Sequence, residues 1–308
     1  MAAVVCLGIA VRDLVFRVAA LPGQPVKLTA HSLRVEGGGM AASAAVAAAS
    51  LGGHVAFWGR LGDDFEGHGL RAELQRRGIE VPAPVVPGTQ TPTAAVLVAD
   101  NGERLLAVFR GRVEDDPGWL QLHELPRFQA ALVDFRWPRG AAALLRAARS
   151  RGLPTVLDAD VGDPDAVRSL LREVQHAVIS EAALAEATGS TDPEAALRQV
   201  RSLGPAVVAV TLGERGSLFL LDGAVHRIPA MPVKARDTNG AGDIFHGAYT
   251  LALAEGRTVL DAARWASAAA ALKCRNGSGW DSSPDRAGVE QLMNDGRKGD
   301  LRGNPQSR

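Results

Sequence analysis

Apolar and polar positions along the chain follow two periods. Apolar runs of strand length at 4–11, 54–58, 130–134, 155–158, 177–180 and 206–212 are nearly unbroken, as strands buried on both faces must be. Between them lie Ala- and Leu-rich stretches, at about 40–51, 141–150, 164–174, 182–188 and 193–203, that predict helices. Strand and helix alternate. That order predicts a mainly parallel central sheet covered by helices on both faces, an α/β arrangement in three layers.

Two stretches break the rhythm. Residues 14–35 and 93–113 alternate apolar and polar side chains around the turn signals Pro22-Gly23 and Asn101-Gly102. They predict antiparallel strands in a small second sheet, placed to act as a lid over the first. The polar, turn-rich residues 296–308 predict a disordered tail, which leaves 1–295 as the folded unit. No internal repeat is present.

Composition narrows the possible partners. The 34 basic and 34 acidic side chains cancel, so no general field exists to hold a polyanion, and a nucleic-acid partner is not expected. No apolar run is long enough to span a bilayer, and no membrane partner is expected. The apolar start lacks a basic region before it and runs into Arg12-Asp13, so it reads as a buried first strand rather than a signal segment. Cys6 and Cys274 match no metal-ligand spacing and read as reduced thiols of a cytoplasmic protein. His31, His54, His68, His123, His176 and His226 share no spacing, which argues against a metal centre.

The strongest candidate chemistry is the run Asp237-Thr238-Asn239-Gly240-Ala241-Gly242-Asp243, followed by residues that read as a helix start. Small residues at Gly240, Ala241 and Gly242 let backbone N–H groups converge at a helix N-terminus, where the dipole favours an anion. Asp243 beside that spot could take a proton from an attacking hydroxyl. The plain alternative is a tight turn with Asp243 as a cap. Thr211-Leu212-Gly213-Glu214-Arg215-Gly216, after the strand at 206–210, puts flexible backbone and a hydroxyl at the sheet's carboxyl edge. Gly37-Gly38-Gly39 before the Ala-rich helix is a third place where backbone could approach a ligand. The cluster at 59–67 reads as a structural turn. His246 reads as packed rather than catalytic, and Trp137 and Trp280 as core or rim.

In this order and spacing the motifs over roughly residues 3–285 resemble the PfkB carbohydrate kinase family, with its ribokinase-like fold: three α/β/α layers and a small β-sheet lid. The resemblance includes G-x-x-G-x-D-x-x-G at 59–67 and D-T-x-G-A-G-D at 237–243. It implies an ATP-dependent kinase acting on a hydroxyl of a small sugar. Asp243 would be the base, and the Gly240, Ala241 and Gly242 amides the anion hole. Asp13, Gly38, Gly39 and Ser43 would face the sugar. Ser180, Thr211, Gly213, Gly216, Ala270, Asn276 and Gly277 would line ATP. Mg²⁺ would accompany the nucleotide, K⁺ would lie near Asp237, Ser278 and Ser282, and the lid would join two copies into a homodimer. Two departures stand out: Ser43 replaces the Asn frequent in the family, and Ala183 stands where an N-x-x-E motif would place Glu.

Within the family the stretches at 37–52, 133–141, 157–160, 236–248 and 270–274 resemble the sulfofructose kinase and ketohexokinase-like branch. Lys27 in the lid and Arg136 after the strand at 130–134 would read an anionic group on the acceptor. Near Val108 an Asn expected for sulfonate recognition is missing, with Arg110 or Arg112 as possible substitutes. A neutral ketohexose, ribose, 2-keto-3-deoxygluconate or nucleoside kinase is the alternative acceptor class. A non-catalytic nucleotide- or sugar-binding regulator is an alternative of another kind, disfavoured because a pure binder needs no base. A dehydrogenase would require a glycine fingerprint after the first strand, and Gly8-Ile9-Ala10 does not supply one.

Overall fold

Period two along the first strand, β1 (Ala3–Ile9), sets the layers: Val4 and Cys6 enter one apolar core, Val5 and Leu7 the other. In this computed structural model, which describes residues 1–302, the chain continues through β2 (Val11–Val18), β3 (Ser32–Gly38) and α1 (Met40–Ser50). Next come β4 (His54–Arg60), α2 (Phe65–Arg76), the short β5 (Ile79–Glu80), β6 (Thr93–Ala99) and β7 (Arg104–Phe109). β8 (Ala130–Asp134), α3 (Pro138–Arg149), β9 (Thr155–Ala159), α4 (Pro164–Leu171) and β10 (His176–Ser180) keep the predicted alternation. After them stand α5 (Glu181–Thr188), α6 (Pro193–Arg201), β11 (Val207–Thr211), β12 (Ser217–Leu221) and β13 (Ala224–Ile228). The chain closes with α7 (Ala241–Ala254), α8 (Val259–Asn276) and α9 (Arg286–Arg302).

Nine strands form one sheet in the order β13-β12-β11-β10-β9-β8-β1-β4-β5. All neighbours from β11 to β5 pair in parallel, and β12 alone runs opposite to the rest, pairing antiparallel with both β11 and β13. The α1, α7 and α8 layer packs with Val4, Leu132, Val156 and Val178; α3 to α6 pack on Val5, Val133, Leu157 and Ile179 on the other face. Each such fully buried side chain contributes about 1.5–3 kcal/mol. Strand order reverses at β1, so a crevice opens at the carboxyl ends of β1 and β8, where open α/β sheets bind ligands.

β3-β2-β6-β7 form the predicted small sheet, which starts at Val11 rather than Leu14. It is mixed rather than wholly antiparallel, because β2 and β6 pair in parallel. Arg12 lies opposite Thr93, so both strands leave the body at the same end of the small sheet, while β3 and β7 return antiparallel to them. Buried Arg12 anchors this base to α2 through Glu66 at 2.7 Å and Glu73 at 3.3 Å.

The cluster at 59–67 is structural, as its turn composition predicts. Asp64 caps α2 by accepting the Gly67 N–H at 2.8 Å and also accepts the Thr91 hydroxyl and N–H, pinning the approach to β6. Helix α9 extends to Arg302, within the segment for which a disordered tail is expected, and 303–308 lie outside the described residues. Among the described residues no helix is long and apolar enough to cross a membrane.

Candidate active site

The last motif residues form the first turn of α7. Gly240 caps it in the left-handed conformation (φ 74°), which glycine adopts without strain. The Ala241 N–H is already bonded to Thr238 O at 3.2 Å, so one of the three amides expected in the anion hole is used by the turn. Among the described residues the amides of Gly240, Gly242 and Asp243 have no acceptor within the chain, and they cluster at the positive end of α7.

Asp243 stands in that turn over a group of carboxylates. Period two places Asp134 with Leu132 and Asp158 with Val156, on the sheet face that α7 covers. Burial first, then Asp158, Asp160 and Asp134, push the Asp243 carboxyl well above the usual range, while His246 opposes them. Asp158 is likewise raised, by burial and then by Asp134 and Asp160. Its buried Oδ2 has no well-aligned donor, although His246 Nδ1 lies 3.3 Å away. His246 is packed, as expected: Nδ1 faces Gly242 O at 2.7 Å and Nε2 faces Val178 O at 3.1 Å.

On the acceptor side, Asp13 lies over Gly38, where a Cβ would fall 2.4 Å from its Oδ2. Burial, then repulsion from Glu36, raises the Asp13 carboxyl to about 6, with Arg12 opposing. Gly39 begins α1 at φ 93°, and a Cβ there would meet Ile9 O at 2.6 Å. Buried Asp134 stitches this corner together, accepting the N–H groups of Ile9 (2.8 Å), Ala41 (3.2 Å) and Arg136 (2.8 Å). Ser43 is buried, and its Oγ accepts the Trp280 indole N–H at 3.0 Å. Trp280 in turn fills the space a side chain at Gly37 would need. Trp137 is a core residue that donates to Asp115 O at 3.2 Å.

A cavity of about 360 Å³ opens between the 108–113 end of the lid and the carboxyl edge of β1 and β8. Arg60, Arg110, Arg112 and Arg136 line it together with Asp115 and Asp163. Arg60 is bound to Asp115 and to Arg136 O. Arg136 lies 4.3 Å over Phe135 and donates one bond to Val161 O at 3.0 Å. Arg110 and Arg112 have no carboxylate partner among the described residues. Lys27 is exposed in the connection between β2 and β3 and does not line the cavity that Arg136 borders.

The predicted nucleotide residues follow the same carboxyl edge. Ser180 caps α5 and donates to Asp160 at 2.7 Å. Thr211 ends β11, and Gly213 opens the turn after it. Gly216 has a packing reason of its own, since a Cβ would fall 2.1 Å from Ile228 O. Ala270 is on α8; Asn276 holds Ser282 O at 3.2 Å, and Gly277 ends α8. Ala183 is buried and supplies no carboxylate; Asp160 is held beside Ser180 by its hydroxyl.

Asp237, Ser278 and Ser282 line one cavity of about 810 Å³, as expected, but in cationic company: Arg17, Arg34, Arg236 and Arg275 share its wall. Arg104, reaching from β7, donates to the Asp237 carboxylate at 2.9 Å and to Asn239 at 3.0 Å. Lys273, buried in the last turn of α8, donates to Asp237 O at 3.2 Å. Burial lowers the Lys273 pKa, while Asp237 draws it back. Arg104, Lys273, Asp158 and Asp160 are site residues that sequence reading missed. The only local signal was a lysine inside an otherwise apolar helix face, Ala268 to Leu272.

A family model described as pfkB family carbohydrate kinase matches residues 1–286. A ribokinase from Bacillus subtilis is 30% identical, the match covering 83% of this chain and 87% of the relative. A fructokinase from Klebsiella pneumoniae is 32% identical over 68% and 74% of the two chains. The structure of Arabidopsis thaliana ribokinase complexed with ribose and ATP is similar at a TM-score of 0.82 and 26% identity, covering 95% and 99%. None of these three relatives is named for the sulfofructose kinase or ketohexokinase-like branch expected from sequence.

Proposed function

The chain belongs to the PfkB family of carbohydrate kinases and is an ATP-dependent sugar kinase; from that premise we propose that it phosphorylates a small sugar carrying an anionic group. The supporting observation is the cavity beyond Asp13, where Arg110 and Arg112 are unpaired and Arg136 is held in place by Phe135 and Val161. Guanidinium forks suit a sulfonate or phosphate. A ketose such as 6-deoxy-6-sulfofructose, giving the 1-phosphate, fits that chemistry. Ribose and fructose are the second reading, favoured by the names of the relatives and by the apolar Val108 beside these arginines.

In this reading the sugar hydroxyl lies against Asp243, which takes its proton as the oxygen attacks the γ-phosphorus of ATP in line, breaking the bond to the β,γ-bridging oxygen so that ADP leaves. The free amides at the α7 N-terminus receive the charge on the transferred group. Asp13 accepts sugar hydroxyls and so orients the nucleophile. ATP would enter as its magnesium complex, and Asp160 with Ser180 would offer oxygen atoms in place of the missing N-x-x-E carboxylate. Reduced Cys6 and Cys274 and the need for ATP fit a cytoplasmic enzyme.

An ATP-consumption screen with anionic ketoses, fructose, ribose, 2-keto-3-deoxygluconate and adenosine tests the acceptor. Arg136→Ala should lower kcat/KM for an anionic acceptor about 10–100-fold, as expected for losing one charge-assisted contact. A small, uniform loss across neutral sugars would return the arginines to a solvated role and favour ribose or fructose.

The outer lid face supports a homodimer. Register places Phe16, Leu33, Val35, Leu97, Leu105 and Phe109 on the face opposite Asp13. Leu33, Val35, Leu105 and Phe109 are about half exposed, a contiguous apolar patch that an isolated monomer rarely keeps. A second copy of this sheet would cover it. Leu105→Glu with Phe109→Asp should convert a dimer into a monomer by light scattering; a wild-type monomer at micromolar concentration would rule the dimer out.

A further inference from the structure

We propose that Lys273 stands in for the monovalent cation, so that this kinase orders its anion-binding loop with its own ammonium and needs no potassium. The inference rests on the kinase reading of the 237–243 loop. A potassium ion near Asp237 would have to be held by oxygen atoms stripped of competing cations, backbone carbonyls above all.

In this chain the Asp237 carbonyl and one of its carboxylate oxygens already have cationic partners. Asp237 O accepts from Lys273 Nζ at 3.2 Å. The Asp237 carboxylate accepts from Arg104 at 2.9 Å and from the Asn239 N–H at 2.8 Å. The Arg236 and Asp237 amides both donate to Cys274 O, at 2.8 and 3.2 Å. The backbone N–H, the carbonyl oxygen and Oδ1 of Asp237 therefore each face a partner from the protein.

The surroundings point the same way. Arg17, Arg34, Arg236 and Arg275 wall the adjoining cavity, and its other acid, Asp281, is engaged by Arg77 at 2.6 Å. Two cations sharing the Asp237 carbonyl would lie a few ångströms apart, where screening is weak and repulsion strong. Lys273 is only 2% exposed, and a lysine so buried is expected only where it is paired, as this one is with Asp237 O.

Lys273 acts through the backbone, as a positioning residue. By holding Asp237 O to the end of α8 it fixes one end of the turn that reaches Gly240, whose left-handed geometry starts α7 and aims its free amides. Arg104 fixes the same turn from the lid.

Turnover and melting temperature of the wild-type protein would be compared in potassium, sodium and tetramethylammonium chloride at one ionic strength. The expected result is no difference among the salts in either readout. Lys273→Met should lose about tenfold in kcat, the loss of one charge-assisted hydrogen bond, and potassium should restore activity and raise the melting temperature of the variant alone. A merely structural lysine would give no such rescue. A severalfold activation or a stabilisation of the wild type by potassium would overturn the proposal, as would a folded Lys273→Met enzyme with wild-type kcat in tetramethylammonium. If the variant does not fold, the wild-type salt comparison decides. Absence of turnover with every sugar would count against the kinase reading instead, and the melting comparison would still read the cation.

Discussion

Replacing Asp243 with Asn should lower kcat by about 10²–10⁴-fold, the range for losing a general base, while ATP still binds. Asn keeps the shape of the first turn of α7 but cannot accept the hydroxyl proton. Calorimetric titration of ATP separates the two effects, and near wild-type turnover would sink the role of Asp243. The pH profile carries an independent signature. A base works only when deprotonated, so kcat must fall as pH drops through its pKa. Burial and the neighbouring acids Asp158, Asp160 and Asp134 raise that pKa, so the acid limb should lie above the ordinary carboxylate range.

Asp13→Ala should reduce kcat/KM for the sugar by about 10–100-fold, as hydrogen bonds from substrate hydroxyls to a charged partner are each worth about 1.5–3 kcal/mol. The KM for ATP should hardly change, because Asp13 lies on the acceptor side of Asp243. Its carboxyl titrates near 6, raised by burial and by Glu36. Protonation removes an acceptor, so kcat/KM for the sugar should fall below about that pH in the wild type and lose this inflection in the variant. Equal losses for sugar and nucleotide would instead mark Asp13 as a support of the fold.

The central sheet was legible because its strands are apolar almost throughout and alternate with helical stretches. The Asp243 turn was legible because small residues before an acid at a helix start are a local pattern. What escaped was non-local. Arg104 and Asp237 are far apart in sequence and meet only when the lid folds over the body. Lys273 reads as an interruption of α8 until Asp237 O is found beside it. The parallel pairing of β2 with β6 depends on both strands leaving the body at the same end of the small sheet, which alternation alone does not encode. Lys27, which the resemblance placed at the substrate, lies in an exposed connection between β2 and β3. Ser43 is in the expected helix, but its oxygen serves Trp280.

The contact between α1 and α7 has a consequence for anyone redesigning substrate choice. Gly247 lies against the backbone of Ala44, where an added Cβ would fall 2.2 Å from the carbonyl oxygen. The run Ala41–Ala48 beside it is wholly buried. Helices packed so closely carry Asp243 and the Gly38-Gly39 corner as one piece, with no slack to absorb even a methyl group. The alanine run, which looks like the most permissive part of the chain, is among its least tolerant. Variant libraries should leave both helices untouched and draw their diversity from 108–113 and Arg136, where side chains border open space.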